Sequence, residues 1–356
     1  MKKIKLIYTG GTIGGRQQTI NSAITKDLKK PAFQKYLYEK LELKVPDTKI
    51  EVKVTVNKLS EHMNPHDWTQ IAHSIHELLQ EEQDGIVVVH GTDTMVYTTA
   101  AMSYMLQGCK QPIVFTGSNI PLMDDKTDAV KNLTDAIFVS TQPKLKGVFI
   151  VFSGNERKNS IIHLGTRVKK KFTEEFYSYE SVDHTPIGIV KEKFAGKSLK
   201  ILNSKLLDLI ITLNTSRPYK FEPNLVSKVS FFKVFPSFDP SIIDYAIKNG
   251  TKGIILELYN SGTACMQGSY SLLNVLEQAQ KQKIPVFATS QHYGYVDMDI
   301  YGSAENMKAR DVVALRNMTS EAAIPKLMWA LANNLALNDV KNCMLKNIAG
   351  EITESL

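Results

Sequence analysis

Residues 4–15 read IKLIYTGGTIGG, a short apolar run that passes directly into a glycine-rich turn with threonines at Thr9 and Thr12. Residues 86–94 repeat this arrangement as IVVVHGTDT. Continuous apolar runs of this length are typical of strands that are buried on both faces, as in a parallel sheet. Because ligands bind beyond the carboxyl ends of such strands, the two turns predict the place of a functional site.

Further apolar runs indicate that this pattern continues along the chain. They lie at residues 113–115, 148–152, 253–256 and 285–287. Amphipathic helical patterns alternate with them, at residues 65–79, 94–107, 128–139, 242–249, 272–282 and 322–332. The first of these has Asn64 as its N-cap and Pro65 in its first turn. Strand–helix alternation predicts an α/β fold.

The length of the chain favours two domains over one. A chain of 356 residues exceeds what a single core usually organises. Residues 191–226 break the alternation and are rich in Lys, Asn and Pro, so we expect them to connect two domains. The prediction is an N-terminal α/β catalytic domain at 1–190, with a mostly parallel sheet flanked by helices, and a smaller C-terminal α/β domain at 227–356.

Composition excludes several classes of protein. Hydrophobic residues make up 43% and charged residues 22%, which is ordinary for a globular chain. The net charge of +7 is spread along the sequence, so we expect no nucleic-acid partner. No apolar stretch is long enough to span a membrane. Cys109, Cys265 and Cys343 are isolated, which predicts neither disulfides nor a zinc site and favours the cytoplasm. We expect no metal or organic cofactor.

A hydroxyl beside glycines is a potential nucleophile, because exposed backbone N–H groups can stabilise an oxyanion next to it. A third strand end, at residues 116–119, repeats this chemistry as TGSN. Two alternatives remain open. The threonines can simply cap helices, and TGGTIGG can be a dinucleotide-binding loop, although Arg16 stands where a further glycine is expected.

Together, TGGTI and HGTDT resemble the two signatures of the bacterial L-asparaginase family, and its cytoplasmic type I-like members in particular. The similarity continues through residues 60–63, 116–121, 128–133, 165–170, 290–292 and 318–329, and so covers nearly the whole chain. The resemblance implies hydrolysis of L-asparagine to L-aspartate and ammonia, with a glutaminase side activity compatible with the same chemistry. It also implies a homodimer or a dimer of dimers, because family members complete their sites across subunits.

The resemblance assigns catalytic roles to four residues. Thr12 matches the threonine that attacks the amide carbonyl to give an acyl-enzyme. Thr92, Asp93 and Lys170 match the network that activates the reaction, in which lysine and aspartate tune the second threonine. Lys170 lies within the basic run 167–171, which by composition alone is typical of a solvated face.

The resemblance also implies a substrate-binding set. Ser60 would hold the α-carboxylate of the substrate, and Glu61 and Asp93 its α-ammonium group. Backbone N–H groups near Thr12 and Thr92 would stabilise the oxyanion, and Gly11 and Gly91 complete the substrate-binding set.

Two departures from the family pattern leave the activity open. Family members carry a tyrosine in a mobile loop after the first threonine. Here residues 13–35 contain no tyrosine and offer Thr19, Asn21, Ser22 and Thr25 instead. The first tyrosines after Thr12 are Tyr36 and Tyr38, which lie on a predicted helix. Residues 260–263 (NSGT) replace a Gly-Asn-type turn. One alternative is therefore a catalytically weak sensor of asparagine or aspartate. Another is an amidase subunit of a tRNA-dependent amidotransferase, because residues 165–170 (GTRVKK) are similar to the asparaginase-like subunit of archaeal glutamyl-tRNA amidotransferase.

Overall fold

The computed structural model describes residues 1–17, 24–25, 30–41, 44–45, 47–154, 158–172, 177–182, 186–193, 196–334 and 336–353. The chain divides into two compact units, Met1–Pro223 and Asn224–Leu356. In the described part of the chain, no helix is both long enough and apolar enough to cross a membrane.

The first unit contains a large mixed sheet and smaller two-stranded sheets. Its strands are β1 (Lys2–Gly10), β2 (Arg16–Gln17), β3 (Ile24–Thr25), β4 (Thr48–Lys58), β5 (Gly85–Val89), β6 (Leu106–Gln107), β7 (Pro112–Thr116), β8 (Gly147–Ser153), β9 (Asn159–Leu164), β10 (Val168–Lys170), β11 (Tyr179–Ser181), β12 (Gly188–Lys193), β13 (Gly196–Ile201) and β14 (Lys220–Phe221). Its helices are α1 (Lys30–Leu41), α2 (Pro65–Leu79), α3 (Met95–Met105), α4 (Ala129–Ser140) and α5 (Ser204–Thr215).

The large sheet has the order β13-β12-β9-β8-β7-β5-β1-β4. The five strands from β8 to β4 run parallel to one another, and β9, β12 and β13 extend the sheet by antiparallel pairing. Every residue of β5, β7 and β8 is buried, as the continuous apolar runs predict. Helix α2 begins after Asn64 with a complete capping box, so the predicted N-cap is confirmed.

The second unit is a smaller parallel α/β layer. Its strands are β15 (Val229–Lys233), β16 (Gly253–Leu258), β17 (Val286–Ser290) and β18 (Val312–Ala314). Its helices are α6 (Ser241–Lys248), α7 (Leu273–Lys281), α8 (Gly302–Lys308), α9 (Ser320–Asn333) and α10 (Leu337–Leu345). The four strands pair in sequence order, and all of them are parallel. The predicted α/β fold with a larger N-terminal and a smaller C-terminal domain is confirmed.

The structure differs from the sequence-based expectation in two segments. The predicted helix 94–107 ends at Met105, because Leu106 and Gln107 leave it to pair with Phe221 and Lys220. The expected connecting segment 191–226 lies largely within the first unit, whose strands β12–β14 and helix α5 extend to residue 221. Edge strands such as β13 are only partly buried, so they lack the continuous apolar run that marks a central strand.

Candidate active site

The predicted site turns meet at the carboxyl ends of neighbouring parallel strands in the large sheet. Strand β1 lies between β4 and β5, and all three run parallel. After β1 the chain returns to the sheet at β4 on one side, whereas after β5 it continues to β7 on the other side. Such a reversal opens a crevice beyond the carboxyl ends of the two strands, which is the usual ligand position in an α/β sheet.

Two glycines allow the turns after β1 and β5 to touch. Gly11 has φ 90°, and a Cβ atom there would lie 2.5 Å from the Cα of Gly91. A Cβ on Gly91 would lie 2.7 Å from the Cβ of Ser60. Real Cβ atoms do not approach other atoms so closely, so neither position accepts a side chain without displacement of the backbone. The three predicted site segments are therefore in direct contact.

Thr12 begins a short 3₁₀ turn, Thr12–Gly14, at the end of β1. The turn is held from the opposite side by the Leu122 N–H, which donates to the Ile13 carbonyl at 3.1 Å. Thr12 is half-buried, and its hydroxyl makes no hydrogen bond to another residue in the described ranges. A dinucleotide loop needs a helix N-terminus to receive the pyrophosphate, but here the turn leads into strand β2. The dinucleotide interpretation is therefore not supported.

Lys170 joins the two polar side chains of the turn after β5. Its Nζ donates to the Thr92 hydroxyl oxygen at 2.9 Å and forms an ion pair with Asp93. The Lys170 side chain is 16% exposed, whereas that of Asp93 is 60% exposed. A half-enclosed ammonium group thus contacts a hydroxyl on one side and a carboxylate that reaches solvent on the other.

The antiparallel hairpin β10–β11 determines which lysine of the basic run reaches the site. Strand β10 ends at Lys170, and its neighbour Lys171 pairs instead with Glu180 at 2.6 Å. The composition of residues 167–171 is typical of a solvated face, but the hairpin turns Lys170 inward.

Ser60 is buried at the start of a short turn between β4 and α2. Its hydroxyl accepts a hydrogen bond from the Asp93 N–H at 3.3 Å, and its carbonyl accepts one from the Thr94 hydroxyl at 2.7 Å. The neighbouring Glu61 side chain is exposed and makes no hydrogen bond to another described residue. Ser60 is therefore tied to the turn after β5, while the Glu61 carboxylate remains available to a cationic group.

His90 supports the same turn from below. It is fully buried, and burial lowers its pKa to about 4, so the ring is neutral at physiological pH. Its Nδ1 lies 2.7 Å from the Gly91 carbonyl and its Nε2 3.0 Å from the Thr98 hydroxyl. Since a carbonyl only accepts, Nδ1 carries the proton and Nε2 accepts from Thr98. His90 thus orients the Gly91 peptide and takes no charge.

The turn after β7 is held by a buried carboxylate. Asp128 accepts hydrogen bonds from the N–H groups of Asn119 and Ile120 at 3.0–3.1 Å. Asn132 donates from its Nδ2 to the Gly117 carbonyl at 3.0 Å. A Cβ on Gly117 would lie 2.3 Å from the His90 carbonyl oxygen, so this turn lies directly beside the one after β5.

Sequence reasoning missed Tyr179. This residue is fully buried on β11, directly opposite Lys170, and its hydroxyl donates to the main-chain carbonyl of Thr92 at 2.7 Å. Burial and, to a smaller extent, the negative charge of Asp93 raise its pKa well above 10. It therefore remains a donor at working pH. No local motif marks it, because its partner lies 87 residues away in the sequence.

The loop that lacks a tyrosine is described only in part. Thr19, Asn21 and Ser22 lie outside the described residues, and Thr25 lies on β3. Tyr38 lies on α1 as predicted, and its hydroxyl donates to the Ile50 carbonyl at 2.9 Å. Ile50 stands near the start of β4, roughly 26 Å along the strand from its carboxyl end. Tyr38 therefore anchors α1 away from the candidate site.

Comparison with known proteins identifies two domain families in the chain. Residues 3–203 match the family model described as Asparaginase, N-terminal, and residues 228–344 match the Glutaminase/Asparaginase C-terminal domain. A curated relative is a glutamyl-tRNA(Gln) amidotransferase subunit from Methanococcus maripaludis strain C7, which is 33% identical over 370 residues covering 100% of this chain and 82% of the relative. The L-asparaginase of Thermococcus kodakarensis is 32% identical over 309 residues, covering 86% of this chain and 87% of the relative.

Solved structures give the same result. The thermostable L-asparaginase from Thermococcus kodakarensis superposes with a TM-score of 0.83 at 29% identity, covering 99% of this chain and 100% of that one. L-asparaginase I from Vibrio cholerae superposes with a TM-score of 0.80 at 26% identity, covering 99% of each chain. On the two domain matches, which together span most of its length, this chain belongs to the asparaginase family.

Proposed function

We propose that the chain hydrolyses the side-chain amide of L-asparagine to L-aspartate and ammonia, with Thr12 as the nucleophile. The observation that carries the proposal is the contact of Lys170 with both Thr92 and Asp93. This cluster follows Gly91, whose backbone touches Gly11, the residue before Thr12. A hydroxyl, a charged network and exposed backbone N–H groups are the parts that acyl transfer requires.

In the proposed first step, the Thr12 oxygen bonds to the amide carbon, and its proton passes through the network of Thr92, Lys170 and Asp93 to the departing nitrogen. The C–N bond breaks and ammonia leaves. The oxyanion is stabilised by backbone N–H groups near Thr12 and Thr92. In the second step, water attacks the ester carbon, the bond to Thr12 breaks, and the threonine regains its proton.

The same turns would bind the two charged ends of the amino acid. Ser60 and nearby N–H groups suit the α-carboxylate, because a hydroxyl can donate to it. The carboxylates of Asp93 and Glu61 suit the α-ammonium group, and both are exposed. We further propose that the enzyme is type I-like, acts in the cytoplasm, and forms a homodimer or a dimer of dimers. Free Cys109, Cys265 and Cys343 suit a reducing compartment.

A second candidate function is favoured by the names of the relatives. Glutamyl-tRNA(Gln) amidotransferase subunits from several organisms match 98–100% of the chain, at 30–34% identity. On this alternative, the site would release ammonia for a tRNA-dependent amidation performed with a partner. The purified chain alone would then release ammonia slowly or not at all.

The test is ammonia release from L-asparagine and L-glutamine by the purified full chain, over a wide range of substrate concentration. We expect turnover of L-asparagine, reduced on the order of 1,000-fold or more in Thr12→Ala, Thr92→Val and Lys170→Met, because members of one catalytic unit fail together. Lys171→Met is the matched control, since Lys171 pairs with Glu180 outside the network, and it should retain activity.

Each alternative predicts a different result. A Thr12→Ala variant with normal turnover would refute Thr12 as the nucleophile. If the folded wild-type chain releases no ammonia from either amide, the hydrolase proposal is contradicted. Calorimetry with L-asparagine and L-aspartate would then identify a sensor, which binds without turnover, and absence of binding would favour the partner-dependent amidase.

A further inference from the structure

The hairpin β10–β11 contacts Thr92 at two separate atoms. From β10, Lys170 Nζ donates to the Thr92 side-chain hydroxyl at 2.9 Å. From β11, the Tyr179 hydroxyl donates to the Thr92 main-chain carbonyl at 2.7 Å. Lys170 and Tyr179 are directly paired across the two strands. One short hairpin therefore holds both the backbone and the side chain of the same threonine.

The Tyr179 ring is fixed by its surroundings. It is fully buried and packs edge-to-face against Phe152 of β8, with ring centroids 5.1 Å apart. Phe152 itself is buried in a central strand of the large sheet. A phenol held by a core strand has little rotational freedom, so its hydroxyl is a rigid donor. In contrast, the lysine side chain is a flexible four-carbon stem, so it cannot by itself fix the distance from its Nζ to the Thr92 hydroxyl.

We propose that Tyr179 is a positioning residue, an inference that rests on the proposed function. By holding the Thr92 carbonyl, Tyr179 sets the distance between Lys170 Nζ and the Thr92 hydroxyl. It does not touch the substrate. Loss of its hydroxyl leaves a buried carbonyl without its donor, and the turn 91–94 can then shift relative to the hairpin. The Lys170–Thr92 hydrogen bond is the contact that such a shift lengthens.

This role differs from simple packing in what it predicts. If Tyr179 served only the core, Tyr179→Phe would keep the ring contact with Phe152 and the reaction rate. If it positions the turn, the same variant would lower kcat more than it raises KM, since Asp93 lies in the turn that shifts whereas Ser60 and Glu61 lie outside it. A displacement of about 1 Å in a catalytic group can cost about 100-fold in rate. We therefore expect kcat for L-asparagine to fall by about 10- to 100-fold.

The experiment compares Tyr179→Phe with Tyr177→Phe in the full chain. Tyr177 precedes the same strand, and the ring contact found for it is with Phe172, so the matched control loses a hydroxyl but no hydrogen bond to Thr92. Steady-state kinetics give kcat and KM, and thermal unfolding shows whether each variant is folded. Hydrogen exchange followed by mass spectrometry reports the turn through the Asp93 N–H, which donates to Ser60 at 3.3 Å.

The expected result is a lower kcat and faster exchange in the peptide that contains residues 91–94, in Tyr179→Phe alone. An unchanged kcat and unchanged exchange in a folded Tyr179→Phe protein would overturn the proposal. If the wild-type chain hydrolyses neither amide, the proposed function fails. Hydrogen exchange would in that case still determine whether Tyr179 fixes the turn.

Discussion

Two histidines are kept neutral by burial in the first unit. Burial lowers the pKa of His90 to about 4 and that of His163 to about 3. The hydrogen bonds of His90 fix its proton on Nδ1, and His163 Nδ1 lies 2.8 Å from the Ser181 hydroxyl on β11. Both rings therefore contribute directed hydrogen bonds next to the candidate site, and a positive charge on either would be unfavourable.

These pKa values predict how stability depends on pH. Below about pH 6.5 an unfolded histidine takes up a proton that the folded chain does not accept until about pH 4 for His90 and pH 3 for His163. The free energy of unfolding should thus fall as pH falls from 6.5, by about 1.4 kcal/mol per pH unit for each histidine. Above about pH 6.5 these two groups should not change the free energy of unfolding, because both are neutral in the folded and in the unfolded state.

Urea unfolding of wild type and His163→Asn between pH 7.5 and 4.5 measures this effect. Other titrating groups affect both proteins alike. The free energy of unfolding of the variant should therefore fall less steeply with falling pH than that of wild type, by about 1.4 kcal/mol per pH unit, which is the contribution of one histidine. Parallel curves for the two proteins would mean that His163 titrates in the folded state as it does in the unfolded state.

At the scale of elements, the connection from β4 to α2 positions Ser60. Asn64 accepts hydrogen bonds from the His66 and Asp67 N–H groups, and the Asp67 carboxylate accepts one from the Asn64 N–H. Lys58, the last residue of β4, contacts the same carboxylate at 2.6 Å. The capping box therefore closes the segment 58–67 into a loop, and Ser60 lies within it.

We expect Asn64→Ala to lower the free energy of unfolding by about 1 kcal/mol and also to raise KM for L-asparagine, because the loop that carries Ser60 loosens. Asn203→Ala is the matched control. Asn203 also caps a helix, α5, by accepting from the Leu206 N–H at 3.0 Å, but it holds no residue of the proposed site. It should cost similar stability with no change in KM. An equal KM for both variants would contradict the link from the cap to Ser60.

At the scale of the whole molecule, each compact unit has its own core and its own buried polar network. In the second unit, Lys326 and Glu351 form a fully buried ion pair at 2.5 Å. Lys326 also donates to the carbonyls of Met344 and Lys346 at 2.6–2.9 Å. The pair fastens the segment after α10 to α9. Removal of one partner leaves a buried charge without its counter-ion, which typically costs 3–5 kcal/mol.

The chain has two tryptophans, with Trp68 in the first unit and Trp329 in the second. Trp68→Phe and Trp329→Phe backgrounds therefore allow fluorescence to follow each unit alone. We expect Lys326→Met to lower the denaturant midpoint reported by Trp329 more than that reported by Trp68, because the broken pair lies in the second unit. Equal shifts of both midpoints would show that the two units unfold as a single cooperative body.

The sequence by itself determined the local features of this protein. The central strands β5, β7 and β8, the start of α2 at Asn64, and the two glycine–threonine turns follow from apolar runs, caps and turn residues that act within a few positions of one another. The α/β fold follows from their order along the chain, and the resemblance to the asparaginase family follows from the motifs TGGTI and HGTDT.

Only the tertiary structure decided which distant residues meet. It selected Lys170 from a basic run, brought Tyr179 to the Thr92 carbonyl across 87 positions, ended α3 early by pairing β6 with β14, and placed residues 191–223 in the first unit. The physical reason is that strand pairing and burial depend on the completed sheet. A lysine or tyrosine has the same local sequence signal whether it faces solvent or the site, and its partner is fixed only when the strands align.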